Sequence, residues 1–256
     1  MSMHTITFFA NKGGSGRTVA TMALASGFLA QGKRVAVMDC TDLAGCNPTG
    51  PHPSTLQNWL KQMAACKFRP PQLELIECQT REEVEDSAAA ADAQGIDILL
   101  IDTFARIREP QIAALGIADL VIAPAISPFE ARCILDGIDE YLGPAEDVIC
   151  LVNGCRNGAA EAAETRCAFG HHAVFLSELP WAEALSDQII NGDIAHFTSS
   201  LTCRSDKPGF ARFREAQFAW TAVQRFAFEV EFALNGHRLE PFDGLSAYPI
   251  KRKAVA

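Results

Sequence analysis

Short apolar runs and longer amphipathic stretches take turns along most of this chain. Runs suited to strands buried on both faces are Thr5–Phe9, Arg34–Met38, Gln72–Ile76, Ile98–Ile101, Leu120–Ala123, Val148–Val152 and Ala173–Leu176. Helical patterns lie between them, among them Val19–Ala30, Glu82–Gln94 and Phe129–Leu142. Strand and helix in alternation predict a mostly parallel sheet with helices on both faces. A Gly/Pro-rich loop (Gly45 to Pro53) follows the second strand, and a polar stretch (Thr198 to Pro208) comes after Trp181–Asn191. The amphipathic segment Phe210 to Leu234 carries Phe213, Phe218, Trp220, Phe226 and Phe228. Its simplest reading is a C-terminal helix packing on the sheet, ahead of a face that binds a partner. No internal repeat is evident.

The turn between the first strand and the first helix holds the candidate chemistry. It reads Phe9-Ala10-Asn11-Lys12-Gly13-Gly14-Ser15-Gly16-Arg17-Thr18. Glycines let a backbone approach a polyphosphate closely, so that its N–H groups and the positive end of the following helix face the anion. A basic residue at position 17 can reach terminal phosphates, and the Thr18 hydroxyl can ligate Mg²⁺. The loop departs from the general GxxxxGK[ST] pattern at Asn11, where a glycine is usual, and at Arg17, where a lysine is usual.

Lys12-Gly13-Gly14-Ser15-Gly16-Arg17-Thr18 resembles the deviant phosphate loop, KGGxGK[ST], of the ParA/MinD ATPases. Ile98-Leu99-Leu100-Ile101-Asp102-Thr103 resembles the Walker B strand of that family, set about 85 residues after the loop, although Phe104-Ala105 replaces the usual prolines. Asp39 stands in register with the first aspartate of the family's DxD segment. Thr41 takes the place of the second, which positions the attacking water, and Asp42 could substitute only with a one-residue shift. Ala118–Pro124 resembles the family's "ADLVLIP" strand. Cys150-Leu151-Val152-Asn153 is similar to the strand whose terminal asparagine reads the adenine edge, an alternative to a plain turn asparagine. Leu179-Pro180, Glu183-Ala184 and Asn191-Gly192 extend the likeness, which covers roughly residues 4 to 197.

The resemblance implies a three-layer α/β P-loop NTPase fold, with residues 1–200 as the ATPase domain; residues 201–256, outside the likeness, read as a C-terminal helix and basic tail packed on the same domain. It implies ATP and Mg²⁺ as cofactors and a homodimer formed on ATP binding. Gly13, Gly14, Ser15, Gly16, Arg17, Thr18, Val19 and Asn153 would hold the nucleotide; Thr18 and Asp102 would hold the metal. Lys12, Arg17, Asp39 and Asp102 would serve catalysis, with Lys12 reaching the partner's phosphates. A planar guanidinium does not simply replace a lysine point charge, and threonine cannot accept a proton as a carboxylate does. Arg17 and Thr41 therefore put hydrolysis in doubt while leaving binding intact. Loss of a water-positioning group costs on the order of 10²-fold in rate or more.

Composition narrows the remaining classes. At 256 residues and 48% hydrophobic, the chain can bury one large core. No apolar run approaches the roughly 18 residues of a membrane span. Met1-Ser2-Met3-His4 runs straight into a strand, so no signal peptide is expected. Most of the nine scattered cysteines, such as Cys133 and Cys150, sit in apolar segments and read as small core residues of a reducing compartment, which points to the cytoplasm, with nucleoid association if DNA is bound. His171-His172 has no neighbouring ligand cluster. Net charge −9 argues against whole-surface affinity for nucleic acid. A local basic face of Arg204, Lys207, Arg212, Arg214 and Arg225 would be the place for non-specific DNA, although such charges are usually just solvated. The tail Ala247–Lys253 is too short and too polar for a membrane helix. Three functions fit: a dimerising ATPase that positions, partitions or transfers DNA with an adaptor protein stimulating turnover; a nucleotide-gated scaffold without significant ATPase activity; and a P-loop enzyme of small-molecule chemistry. A Cys-rich cluster or second substrate domain would favour the third, and neither is evident in the sequence.

Overall fold

The computed structural model of the chain describes residues 3–41, 53–68, 70–142, 148–201 and 207–237. Strands β1 (His4–Phe8), β2 (Val35–Cys40), β3 (Leu73–Glu77), β4 (Ile98–Thr103), β5 (Leu120–Ala125) and β6 (Val148–Val152) form one sheet in the order β3-β2-β4-β1-β5-β6. Every neighbouring pair is parallel. The central strands are covered on both faces, which is why they read as apolar runs.

Successive side chains point to opposite faces and divide the core. Ile6, Phe8, Val35, Val37, Ile98, Leu100 and Ile122 meet α1 (Arg17–Ala30), α2 (Thr55–Ala65) and the C-terminal helices. On the other face, Ala36, Met38, Leu99 and Ile101 pack with α3 (Arg81–Ala93) and α4 (Glu109–Gly116). Val121, Ala123, Cys150 and Val152 pack there with α5 (Pro128–Tyr141) and α6 (Ala159–Ala168). The result is the three-layer arrangement expected. Side-chain caps mark several helix starts: Ser54 accepts from the Gln57 N–H at 3.1 Å, Thr80 from Glu83 at 3.2 Å and Ser127 from Glu130 at 3.3 Å. Each such cap contributes about 1 kcal/mol.

Two expectations are corrected. Ala173–Leu176 is not a seventh strand: only isolated bridges join Val174 to Cys150 and Leu179 to Asn153. Several backbone groups between those bridges are taken by side chains. Arg166 donates to the carbonyls of Phe175 and Leu176, and the Ser177 N–H donates to Glu229. The second correction concerns the C-terminal segment. After the short helices α7 (Glu183–Ser186), α8 (Gln188–Asn191) and α9 (Ile194–Ser200) comes α10, Lys207–Leu234, whose principal contacts are with α1, α9 and α7 rather than with the sheet. Phe226 is fully buried and meets Phe175 edge-on at 5.2 Å, and Trp220 is partly buried. Phe218 and Phe228 are 65% and 64% exposed, so they do not pack as expected. Residues 45–52 of the Gly/Pro-rich loop, Asp42, Arg204 and the basic tail lie outside the described residues, as does the side chain of Lys207.

Helices α1 and α10 cross at Gly27, where an added Cβ would lie 2.6 Å from the Ala227 Cβ. Gly27→Ala should therefore destabilise the protein by about 1–3 kcal/mol through overpacking. Ala227→Gly in the same chain should recover part of the loss, read as unfolding midpoints in denaturant.

Candidate functional site

Strand register builds the site. Asp102 pairs with Phe8 on one side and with Asp39 on the other, so both carboxylates and the end of β1 lie level at the carboxyl edge of the sheet. Parallel α/β sheets bind ligands at this edge. The loop leaves β1 here and turns into α1 through Gly14 and Gly16, whose φ values of 92° and 76° are left-handed. No side chain caps the α1 N-terminus, and Cβ atoms added at Gly13 or Gly14 would meet nothing within 4 Å. Backbone N–H groups therefore border open space, as an anion cradle requires.

Below the cradle, Thr18 donates to Asp102 Oδ2 at 2.6 Å. Asp39 Oδ1 accepts from both the N–H and the hydroxyl of Thr41. Among the described residues, the second oxygens, Asp102 Oδ1 and Asp39 Oδ2, are buried without a hydrogen-bond partner, and so is Ser15 Oγ. Unpaired buried carboxylate oxygens are costly. A hydroxyl and two acidic oxygens beneath an amide-lined hollow make a hard, all-oxygen donor set, which fits Mg²⁺ accompanying a polyphosphate.

The expected residues meet this site in different ways. Arg17 is buried, and its Nη1 donates to Ala10 O at 2.9 Å and to Thr103 Oγ1 at 3.4 Å, so this part of the guanidinium faces inward. Burial lowers its pKa, and the Asp102 charge opposes that fall. Lys12 is exposed, with its ammonium 4.9 Å from the centre of the Phe129 ring. Val19 is half-buried against the core. Asn153 directs its amide to the carbonyls of Ser15 and Gly16, at 2.9 and 3.2 Å. Arg212 stacks over Phe197 at 5.2 Å, while Arg214 and Arg225 line a cavity of about 720 Å³ together with Arg166, Glu178 and Glu229.

Three residues absent from the expected set support the loop. Thr103 links the Walker B strand to β1 by donating to Phe8 O at 2.6 Å. Asn11 donates to Cys133 O at 2.7 Å, tying the start of the loop to α5, and Gly137 leaves room for it. Gln111 donates to Cys40 O at 2.8 Å, steadying the strand end that carries Asp39. The replacement of the loop's first glycine was the sequence signal for Asn11. Gln111 carried none.

A six-stranded parallel sheet with a glycine loop at its edge and an aspartate on the neighbouring strand is the P-loop NTPase fold. The chain belongs to the VirC1 protein family, whose family model matches residues 3–149. No curated protein matches it in sequence. Its fold is similar to that of a ParA family ATPase from Chlorobium tepidum TLS, at 14% identity and a TM-score of 0.55, covering 89% of this chain and 99% of that one. The MinD cell division protein of Aquifex aeolicus is similar at 16% identity and a TM-score of 0.58, covering 94% and 100%. Cobyrinic acid a,c-diamide synthase from Mycobacterium smegmatis, solved with a bound ATP analog and magnesium, is similar at 17% identity and a TM-score of 0.55, covering 94% and 99%. Among the described residues no helix is long and apolar enough to cross a membrane, and no cluster of three or more His, Cys, Asp or Glu could hold a metal.

Burial pushes the Asp102 carboxyl up to about 7; the Thr18 hydrogen bond and Arg17 pull it down, and Asp39 pushes it further up. Folded Asp102 thus holds its proton more tightly than in the unfolded chain, where its pKa is about 3.8. Stability from this group is complete below the lower value and is lost as pH rises through the upper one. The metal-free, nucleotide-free protein should therefore lose stability from about pH 4 to 7, at up to about 1.4 kcal/mol per pH unit. Asp102→Asn should flatten that slope, as measured by denaturant unfolding across the range.

Proposed function

We propose that this protein binds ATP with Mg²⁺ and forms a nucleotide-dependent homodimer that acts in DNA partition, positioning or conjugative transfer, hydrolysing ATP slowly. The observation that supports it best is the open glycine cradle directly above the unpaired oxygens of Asp39 and Asp102. In this reading the amides of Gly13, Gly14, Ser15 and Gly16 hold the phosphates. Thr18 turns its hydroxyl toward the metal, and Asp102 and Asp39 organise it. Bound Mg²⁺ would neutralise phosphate charge.

Lys12 stands outside the cradle on the exposed Phe129 ring, a contact worth about 0.5–1 kcal/mol at such a position, so it is free to extend toward a second subunit at small cost. Lys12→Ala should abolish ATP-dependent dimerisation while leaving ATP binding by the monomer largely intact, as light scattering and calorimetry would show. Dimerisation that persists unchanged would remove the cross-subunit role. A calorimetric titration with neither ATP nor ADP heat, in the presence of Mg²⁺ and on folded protein, would end the nucleotide reading itself.

Slow hydrolysis follows from two side chains. Thr41 donates its hydroxyl proton to Asp39, and part of the Arg17 guanidinium is spent on Ala10 and Thr103. These contacts also favour the second reading, a nucleotide-gated scaffold without significant turnover. Arg17→Lys combined with Thr41→Asp should raise phosphate release, by on the order of 10²-fold if the water-positioning group is the missing part. No gain would show that the slow step lies elsewhere. An ATP-dependent, salt-sensitive shift of duplex DNA would favour the DNA-acting reading over the scaffold.

A further inference from the structure

Asn153 lies at the end of β6, 138 residues from Ser15 in sequence, yet its side-chain Nδ2 donates to two adjacent carbonyls of the phosphate loop. Its backbone is held on two sides. The Asn153 N–H donates to Ala125 O at 2.9 Å, and the next residue, Gly154, donates to Leu179 O at 2.7 Å. The residue is 3% exposed. Gly16, with φ 76°, leaves the space the amide fills: a Cβ there would stand 2.4 Å from Asn153 Nδ2.

In a trans peptide the C=O and the N–H of the same plane point in opposite directions. Asn153 holds the Ser15 carbonyl, and it shares the Gly16 carbonyl with the Ala20 N–H of α1, so the N–H groups of Gly16 and Arg17 point the other way, toward the open side of the loop.

We infer that Asn153 is a positioning residue, which aims the loop's amides at the phosphates and so contributes to polyphosphate binding. The inference deepens the proposed ATP site and rests on it. Binding of Mg²⁺–ATP, Mg²⁺–GTP and Mg²⁺–tripolyphosphate to the full chain should be compared by calorimetry for the wild type, Asn153→Ala and Asn153→Asp. Asn153→Ala should weaken tripolyphosphate binding by about tenfold, the size of one to two net hydrogen bonds, and the nucleotides by at least as much. Asn153→Asp should weaken them further, because a carboxylate facing two carbonyls repels them. A loss confined to ATP, or no loss for tripolyphosphate, would overturn the inference.

A second measurement needs no ligand. Gly16→Ala should destabilise the wild-type chain more than it destabilises Asn153→Ala, because the amide it collides with is gone in the latter. Additive losses in this cycle would also overturn the inference. If the wild type binds none of the three probes, the nucleotide reading fails, while the stability cycle still decides whether Asn153 braces the loop.

Discussion

Two carboxylates side by side in the middle of a sheet are the constraint around which this structure is arranged. Asp39 and Asp102 are neighbours in register on β2 and β4, and they are 3% and 0% exposed. A buried pair of this kind is costly unless protons, cations or hydrogen bonds offset the charge. Each carboxylate has one oxygen satisfied, by Thr41 or Thr18, and one left over. Burial of Arg17 beside them makes sense in the same terms, since its charge lowers the cost of ionising Asp102. The site is thus electrostatically incomplete in a direction that favours a divalent cation.

The loop above that pair is tied down at both ends and open in the middle. Asn11 anchors its start to α5, and Asn153 holds its end from β6. Thr103 and Arg17 connect its base to the ends of β1 and β4. Gly13 and Gly14 lie between these ties with free space beside them. An anion site needs this combination, because preformed donors do not have to be reorganised when the ligand arrives. The anchors come from strands and helices distant in sequence, so the loop's shape depends on the whole parallel sheet.

On the far side of α1, α10 completes the core through a crossing so close that only glycine fits at position 27. Ala216, Ala219, Val223, Phe226, Ala227 and Val230 make its inner stripe. Its outer face keeps Phe218, Phe228 and Phe232 in solvent beside the cavity that Arg214 and Arg225 line. Periodicity identified this helix as amphipathic, but aromatic residues on a helix do not by themselves show which side is inward, and here alanines and valines share the buried stripe with Phe226.

Much of the architecture was legible in the sequence because its causes are local. Six of the seven apolar runs are strands, and the loop's glycines, Thr18 and Asp102 gather where their spacing implied. The Leu56, Trp59, Leu60 and Met63 spacing of α2 was present too, behind the Gly/Pro-rich loop, whereas the Ala-rich α6 offers little contrast between its faces. Other features exist only in three dimensions. Whether residues 173–176 pair as a strand depended on Arg166 and Glu229, which claim the Phe175 carbonyl and the Ser177 N–H between the bridges. The inward turn of Arg17 depended on acceptors from Ala10 and Thr103. The grip of Asn153 depended on sheet order, which brings the end of β6 under the loop. Composition and spacing state which groups a chain possesses; the partners of a buried polar group are set by which distant segments the packed core brings within hydrogen-bonding reach.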